Sequence, residues 1–236
     1  MKYEILHDDK IEVAGHTLYK IRALKDFEDV KAGELGGYIE REENLSQEGN
    51  CWVYDNARVF GNACVFGDAW VYGNARVCDN ACVCGNACVF GNARVDGNAC
   101  VFGDAQVYGH TCVCGNACVF GNARVDGNAH VYGDTCVYEN AYVYGNARVY
   151  GNARVYGNAQ INKSSDVLCI SPIGSRNDTT TFFKTKDGNI CVKCGCFRGT
   201  IDEFLEAVSK KHDENKHAKA YRLACELARV QIELEE

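Results

Sequence analysis

From Cys51 to Ile161 a six-residue unit of the form Val-Tyr-Gly-Asn-Ala-Arg recurs without insertion or deletion. Valine stands at every sixth position from 53 to 155, and Ile161 closes the series. A short fixed period of this kind is the mark of a solenoid, in which each unit buries its apolar face only against its neighbours. In Ala-x-Val-x the residues two apart share a face, so Ala and Val point inward from a short strand while their neighbours point outward. Gly-Asn then supplies a corner, because Gly has no Cβ and Asn tolerates positive φ. Strand and corner every six residues give a polygonal coil, and an Ala/Val lining leaves room for a narrow interior with three flat sides. Three units then make one turn of eighteen residues, with about six turns expected between residues 39 and 162. The departures respect this scheme. Asp55, Asp79 and Glu139 take the Gly slot, Asp68, Asp104, Asp134 and His110 the Asn slot, and Thr111 and Thr135 the Ala slot.

The run resembles the left-handed parallel β-helix of hexapeptide-repeat proteins, and the match covers about half the chain. The segments Leu35-Gly36-Gly37-Tyr38-Ile39-Glu40-Arg41-Glu42 and Gln47-Glu48-Gly49-Asn50-Cys51-Trp52-Val53-Tyr54-Asp55 further resemble the YdcK-like hexapeptide proteins of enterobacteria and similar phage and prophage proteins. That resemblance implies a lineage, and no reaction comes with it. The expected fold is mainly β: a left-handed parallel β-helix over 39–162, a small N-terminal β cap over 1–38 and a C-terminal α+β module over 163–236.

Flanking the repeat, the periodicity changes. Tyr3, Ile5, Ile11, Val13, Leu18, Tyr19 and Ile21 fall in short alternating runs that predict two or three strands, and Lys25–Lys31 fits one helical turn. A covering block is expected there, since an open solenoid end presents unpaired backbone groups. Beyond Ile161, Thr179–Thr185 and Ile190–Cys194 read as a hairpin about Lys186-Asp187-Gly188-Asn189. Thr200-Ile201-Asp202-Glu203 is a capping box opening a helix. A second helix is expected from about His217, with Tyr221, Ala224, Leu227, Ala228 and Ile232 on its buried face. Together these read as a ββαα unit.

A net charge of −7 disfavours phosphate neutralisation, so no nucleic-acid partner is expected. No apolar run is long enough to cross a membrane, and Met1-Lys2-Tyr3-Glu4 shows no signal peptide. The 16 cysteines are therefore read as reduced thiols in a cytoplasm, with no cofactor and no metal expected.

Residues eighteen apart stack into ladders, which sorts the outward positions into three unlike sides. Arg58, Arg76, Arg94, Cys112, His130 and Arg148 form a solvated side. Trp52, Trp70, Cys88, Gln106, Arg124 and Tyr142 line the second. The third carries Cys64, Cys82, Cys100, Cys118 and Cys136 beside Phe66, Cys84, Phe102, Phe120, Tyr138 and Tyr156. That apolar wall is more than a monomer normally exposes, so Phe66, Cys82, Cys100, Phe102, Cys118, Phe120 and Tyr138 are expected at a dimer or trimer interface. Its thiols project from one flat sheet, which suits small half-buried hydrophobes better than tetrahedral zinc.

Two functional readings follow. In the first, the chain is a non-catalytic interaction protein, a rigid oligomeric platform whose tail meets a protein partner or a small anionic, nucleotide-like ligand. Ser175, Arg176, Asn177 and Asp178 with Arg198 are its candidate binding residues, because Arg beside hydroxyls suits a phosphate or carboxylate. The same tract can also hydrogen-bond itself into a turn that tethers the tail. In the second, hexapeptide acyltransferases of this fold usually use a histidine at a groove between subunits, which points to His110 or His130 and acyl-CoA.

Overall fold

The computed structural model describes residues 1–234. Three parallel sheets built from two-residue strands wind into a solenoid, and the sheet that starts at Trp52–Val53 and ends at Gln160–Ile161 has seven strands. The register is eighteen residues on all three sides, as in Trp52↔Trp70, Arg58↔Arg76 and Cys64↔Cys82. Every valine of the repeat from Val53 to Val155 is fully buried, as is Ile161. Each such side chain contributes about 1.5–3 kcal/mol relative to an exposed one. Backbone bonds tie turn to turn at strand and corner alike, for example Trp70 N–H to the Ala87 carbonyl (2.9 Å) and Asn74 N–H to the Gly91 carbonyl (2.8 Å).

The corners explain the departures from the repeat. Asp55, Asp79 and Glu139 hold φ of 51°, 61° and 62°, so they accept the left-handed conformation of the Gly they replace. Their carboxylates accept the Gly73, Gly97 and Gly157 N–H groups of the next turn at 3.0, 3.1 and 3.0 Å. A side-chain contact across turns thereby offsets the conformational cost. One corner carries an amide ladder in which Asn62, Asn80 and Asn98 each donate to the next, and Asn116 donates to Asp134.

At the N-terminal end, β1 (Tyr3–Val13) and β2 (His16–Ala23) form a hairpin, and β3 (Leu35–Ile39) joins it to the coil. β3 pairs in parallel with Arg58–Val59 at an offset of twenty residues, and Leu45 bridges Val65 at the same offset. This first turn lies outside the hexapeptide pattern, which is why about seven turns form where the periodicity indicated about six. It is pinned by fully buried Asn44, whose amide donates to the Gly61 and Ala63 carbonyls (3.1 and 2.8 Å). Lys2 reaches into the open end and donates to the Cys51 carbonyl at 2.8 Å. The helical turn expected at Lys25–Lys31 does not form: Phe27 and Val30 exchange both backbone hydrogen bonds around Glu28, at φ 44°.

At the other end, the expected hairpin is extended by a strand on each side. Val167–Ile173, Asp178–Lys184, Ile190–Cys194 and Phe197–Thr200 make a four-stranded antiparallel sheet in sequence order. Alternation divides two neighbouring phenylalanines between two cores. Phe183 packs on the last turn, edge to face with Tyr156 at 5.0 Å, while Phe182 joins the core beneath the helices. Helix α1 (Ile201–His212) opens on the capping box, with Thr200 N–H donating to Glu203 at 2.8 Å. Helix α2 (Lys216–Gln231) starts at Asn215, which caps His217 and Ala218. Leu227 departs from the expected buried stripe: it is 49% exposed, because Cys225 occupies the inward position beside Ala224 and Ala228.

Candidate functional site

The apolar wall forms as the ladders require, but the chain covers one end of it with its own tail. Phe102 stacks on Phe120 at 4.8 Å and Phe120 on Tyr138 at 5.0 Å, with planes within 3°. Phe66 and Phe102 remain 44% and 36% exposed, and Cys82, Cys100 and Cys118 are half-buried. Tyr138, expected between subunits, is instead 9% exposed beneath Arg198.

Arg198 likewise has a role other than the one its sequence neighbourhood indicated. Its guanidinium lies 4.5 Å from the Tyr156 ring centre and donates to Tyr138 Oη (2.9 Å) and to the Glu139 carboxylate (2.7 Å). The Glu139 bond holds the Arg198 pKa above its ordinary value. Arg198 thus fastens the tail to the coil, through a Glu that itself replaces a corner Gly. It borders an open groove of about 880 Å³ between the two regions, whose other cations are also engaged. Arg154 donates to Cys136 Sγ and Lys193 to the Gly195 carbonyl.

The remaining candidates of the tract converge elsewhere. Ser175, Arg176 and Asn177 lie on the turn between the first two tail strands, where Asn177 N–H reaches the Gly174 carbonyl at 3.4 Å and Asn177 takes φ 49°. Ser175, Arg176 and Asp178 line a cleft of about 140 Å³ closed by the Cys194–Phe197 turn and by α1. That volume is several times the ~30 Å³ share of one water, so a phosphate- or carboxylate-sized head fits. Lys211 and His212, in the last turn of α1, face the same space. Its apolar floor is built from Phe197, Phe204 and Tyr221, with Phe204 and Tyr221 edge to face at 5.2 Å. Tyr221 Oη receives the Cys194 thiol at 3.6 Å. Burial first, and that contact second, raise the Tyr221 pKa well above the phenol range, so the hydroxyl stays protonated. Among the described residues neither Arg176 nor Lys211 makes a salt bridge. The sequence pointed to Ser175, Arg176 and Asp178, and it placed Tyr221 on the buried face of the second helix. Lys211 and His212 carried no sequence signal, and only the helix continuing to His212 shows where they face.

His110 and His130 stay apart from this cleft. His110 occupies a corner and is exposed, with its backbone N–H bonded to the Gly127 carbonyl. His130 is exposed on the arginine side, in register between Cys112 and Arg148. No loop leaves the coil near either of them.

A family profile described as "YdcK Beta solenoid repeat" matches residues 57–73, 141–157 and 147–163. The coil is a YdcK-like β-solenoid. A relative named "Uncharacterized acetyltransferase YdcK", from Escherichia coli (strain K12), is 60% identical over 45 residues. That stretch spans 19% of this chain and 14% of the relative's length. The family-profile match is to repeat units within the coil. No helix among the described residues is long and apolar enough to cross a membrane.

Proposed function

We propose that this chain is a non-catalytic interaction protein, in which the YdcK-like coil is a rigid platform and the C-terminal module holds a small anionic ligand. The observation that carries this reading is the cleft where Arg176, Lys211 and His212 meet over an aromatic floor. Two cations without salt-bridge partners among the described residues, at a half-enclosed apolar site, are suited to a phosphate or carboxylate, whose charge is held more strongly where water is partly excluded. A nucleotide-like ligand would add stacking on the aromatic floor. Leu223, Leu227 and Val230 on α2 are 65%, 49% and 80% exposed, which also suits a protein partner at the tail. The exposed Phe66–Phe102 wall supports assembly into a dimer or trimer, and the phage or prophage lineage implied by the leading segment belongs to the same reading.

The rival is an acyl-CoA-dependent transferase with its site between subunits near His110 or His130, and the relative's printed name favours it. Calorimetry and thermal-shift screens of nucleotides and acyl-CoAs separate the two. We expect nucleotide binding that disappears in Arg176→Ala and in Lys211→Ala and persists in His110→Ala. Acetyl-CoA turnover abolished by His110→Ala or His130→Ala would overturn the reading. Light scattering should show an oligomer that Phe102→Asp with Phe120→Asp dissociates.

A further inference from the structure

On the arginine side of the coil the ladders change character over a few rungs. The column before the valines runs Arg76, Arg94, Cys112, His130, and the column after them runs Cys78, Asp96, Cys114, Tyr132. The register sets Arg94 beside Cys112 and Val95 beside Val113, which brings Asp96 beside Cys114. Cys112 opens the strand Cys112–Val113 and Cys114 follows it directly, two residues on, so the two project from the same face. One carboxylate oxygen of Asp96 and the two sulfurs all lie within 4.8 Å of one another, and all three residues are half-buried.

We propose that Asp96, Cys112 and Cys114 form a binding site for a divalent cation of the zinc class. The flat sheet that argues against a closed four-thiolate site does not argue against this one. Three ligands at the corners of a triangle form the base of a tetrahedron, and the ion sits just above them. With metal–sulfur bonds of about 2.3 Å the base edges are about 3.8 Å, which small side-chain rotations reach from the observed spacing. The fourth position then points outward, on the side of His130, the next rung beside Cys112. Thiolate with carboxylate is a donor set for zinc rather than for magnesium or calcium, which take oxygen ligands.

Charge and support are also in place. Two thiolates and a carboxylate carry three negative charges, the cation two positive ones, and Arg94 supplies the balance from 2.9 Å away on Asp96 Oδ2. That bond holds the carboxylate in position, the arrangement by which outer partners orient metal ligands. Binding releases one proton from each thiol to solvent.

The test uses the full chain, reduced and stripped with a chelator, and titrated with Co²⁺. We expect sulfur-to-cobalt charge-transfer absorption with tetrahedral d–d bands, saturating at one equivalent and bleached by Zn²⁺. Cys112→Ser with Cys114→Ser should abolish both sets of bands, and Asp96→Asn should weaken binding. Cys118→Ser with Cys136→Ser, on the apolar side, should leave them unchanged. Far-ultraviolet circular dichroism checks that each variant keeps its coil. Absence of the bands, or bands that survive Cys112→Ser with Cys114→Ser in a folded protein, would overturn the proposal.

Discussion

The coil and the C-terminal module solve the same problem in opposite ways. In the coil each residue faces a near copy of itself one turn away, so a single local solution is repeated and the core is a column of Val and Ala. In the tail every contact is particular: Phe182 fills one core, Phe183 another, Arg198 rests on two tyrosines, and Tyr221 meets Cys194. The lesson is that repetition makes a stiff scaffold whose outer face varies rung by rung, while a cleft that converges from several directions requires unlike elements. The cationic cleft is accordingly in the tail.

The sharpest way to break this contrast is a charge in the coil. Val107→Asp buries a carboxylate with no partner in a continuous apolar column and should cost about 5 kcal/mol or more. Urea unfolding followed by circular dichroism should show the whole coil losing stability, since turns depend on their neighbours. Next in size is Phe182→Ala, which should cost about 3–5 kcal/mol but be confined to the tail. Hydrogen exchange should then show the four-stranded sheet and helices opening while the coil amides stay protected. Loss of protection in both would show that the two regions unfold as one unit.

A smaller effect separates inner from terminal turns. At Gly97, φ is 68° and an added Cβ would meet the Gly115 N and O at 2.9 Å, whereas at Gly151, φ is 72° and the space is open. Gly151→Ala should cost about 1–2 kcal/mol for the left-handed conformation. Gly97→Ala should exceed it by a measurable margin in the same melts. The smallest effect is expected at the seam. Arg198→Ala removes a cation whose side chain is 46% exposed, so solvent screening holds its loss to about 1 kcal/mol or less. Its signature is faster exchange in the tail with an unchanged coil.

Much of the coil was legible because its signal is redundant: the phase of the valines states the strand, the corner and the eighteen-residue ladder at once. Its first turn was not, since Tyr38, Ile39 and Leu45 pair at an offset of twenty and carry no repeat. In the tail the capping box and one hairpin were readable as local patterns. The outer strands were obscured by Pro172 in one and by the brevity of Phe197–Thr200 in the other.

By itself the sequence determined which residues share a side of the coil, because a strict period converts position into place through backbone geometry alone. Only the tertiary structure decided what those sides meet. Arg198 was separated from Arg176 and laid on Tyr156, and Tyr138 was covered, by the way the tail sheet docks on the last turn, while the packing of α1 within the tail turned Lys211 toward the cleft. Contacts between segments with no common period leave no periodic trace in the chain, so side-chain shape and charge settle them only when the two surfaces come together.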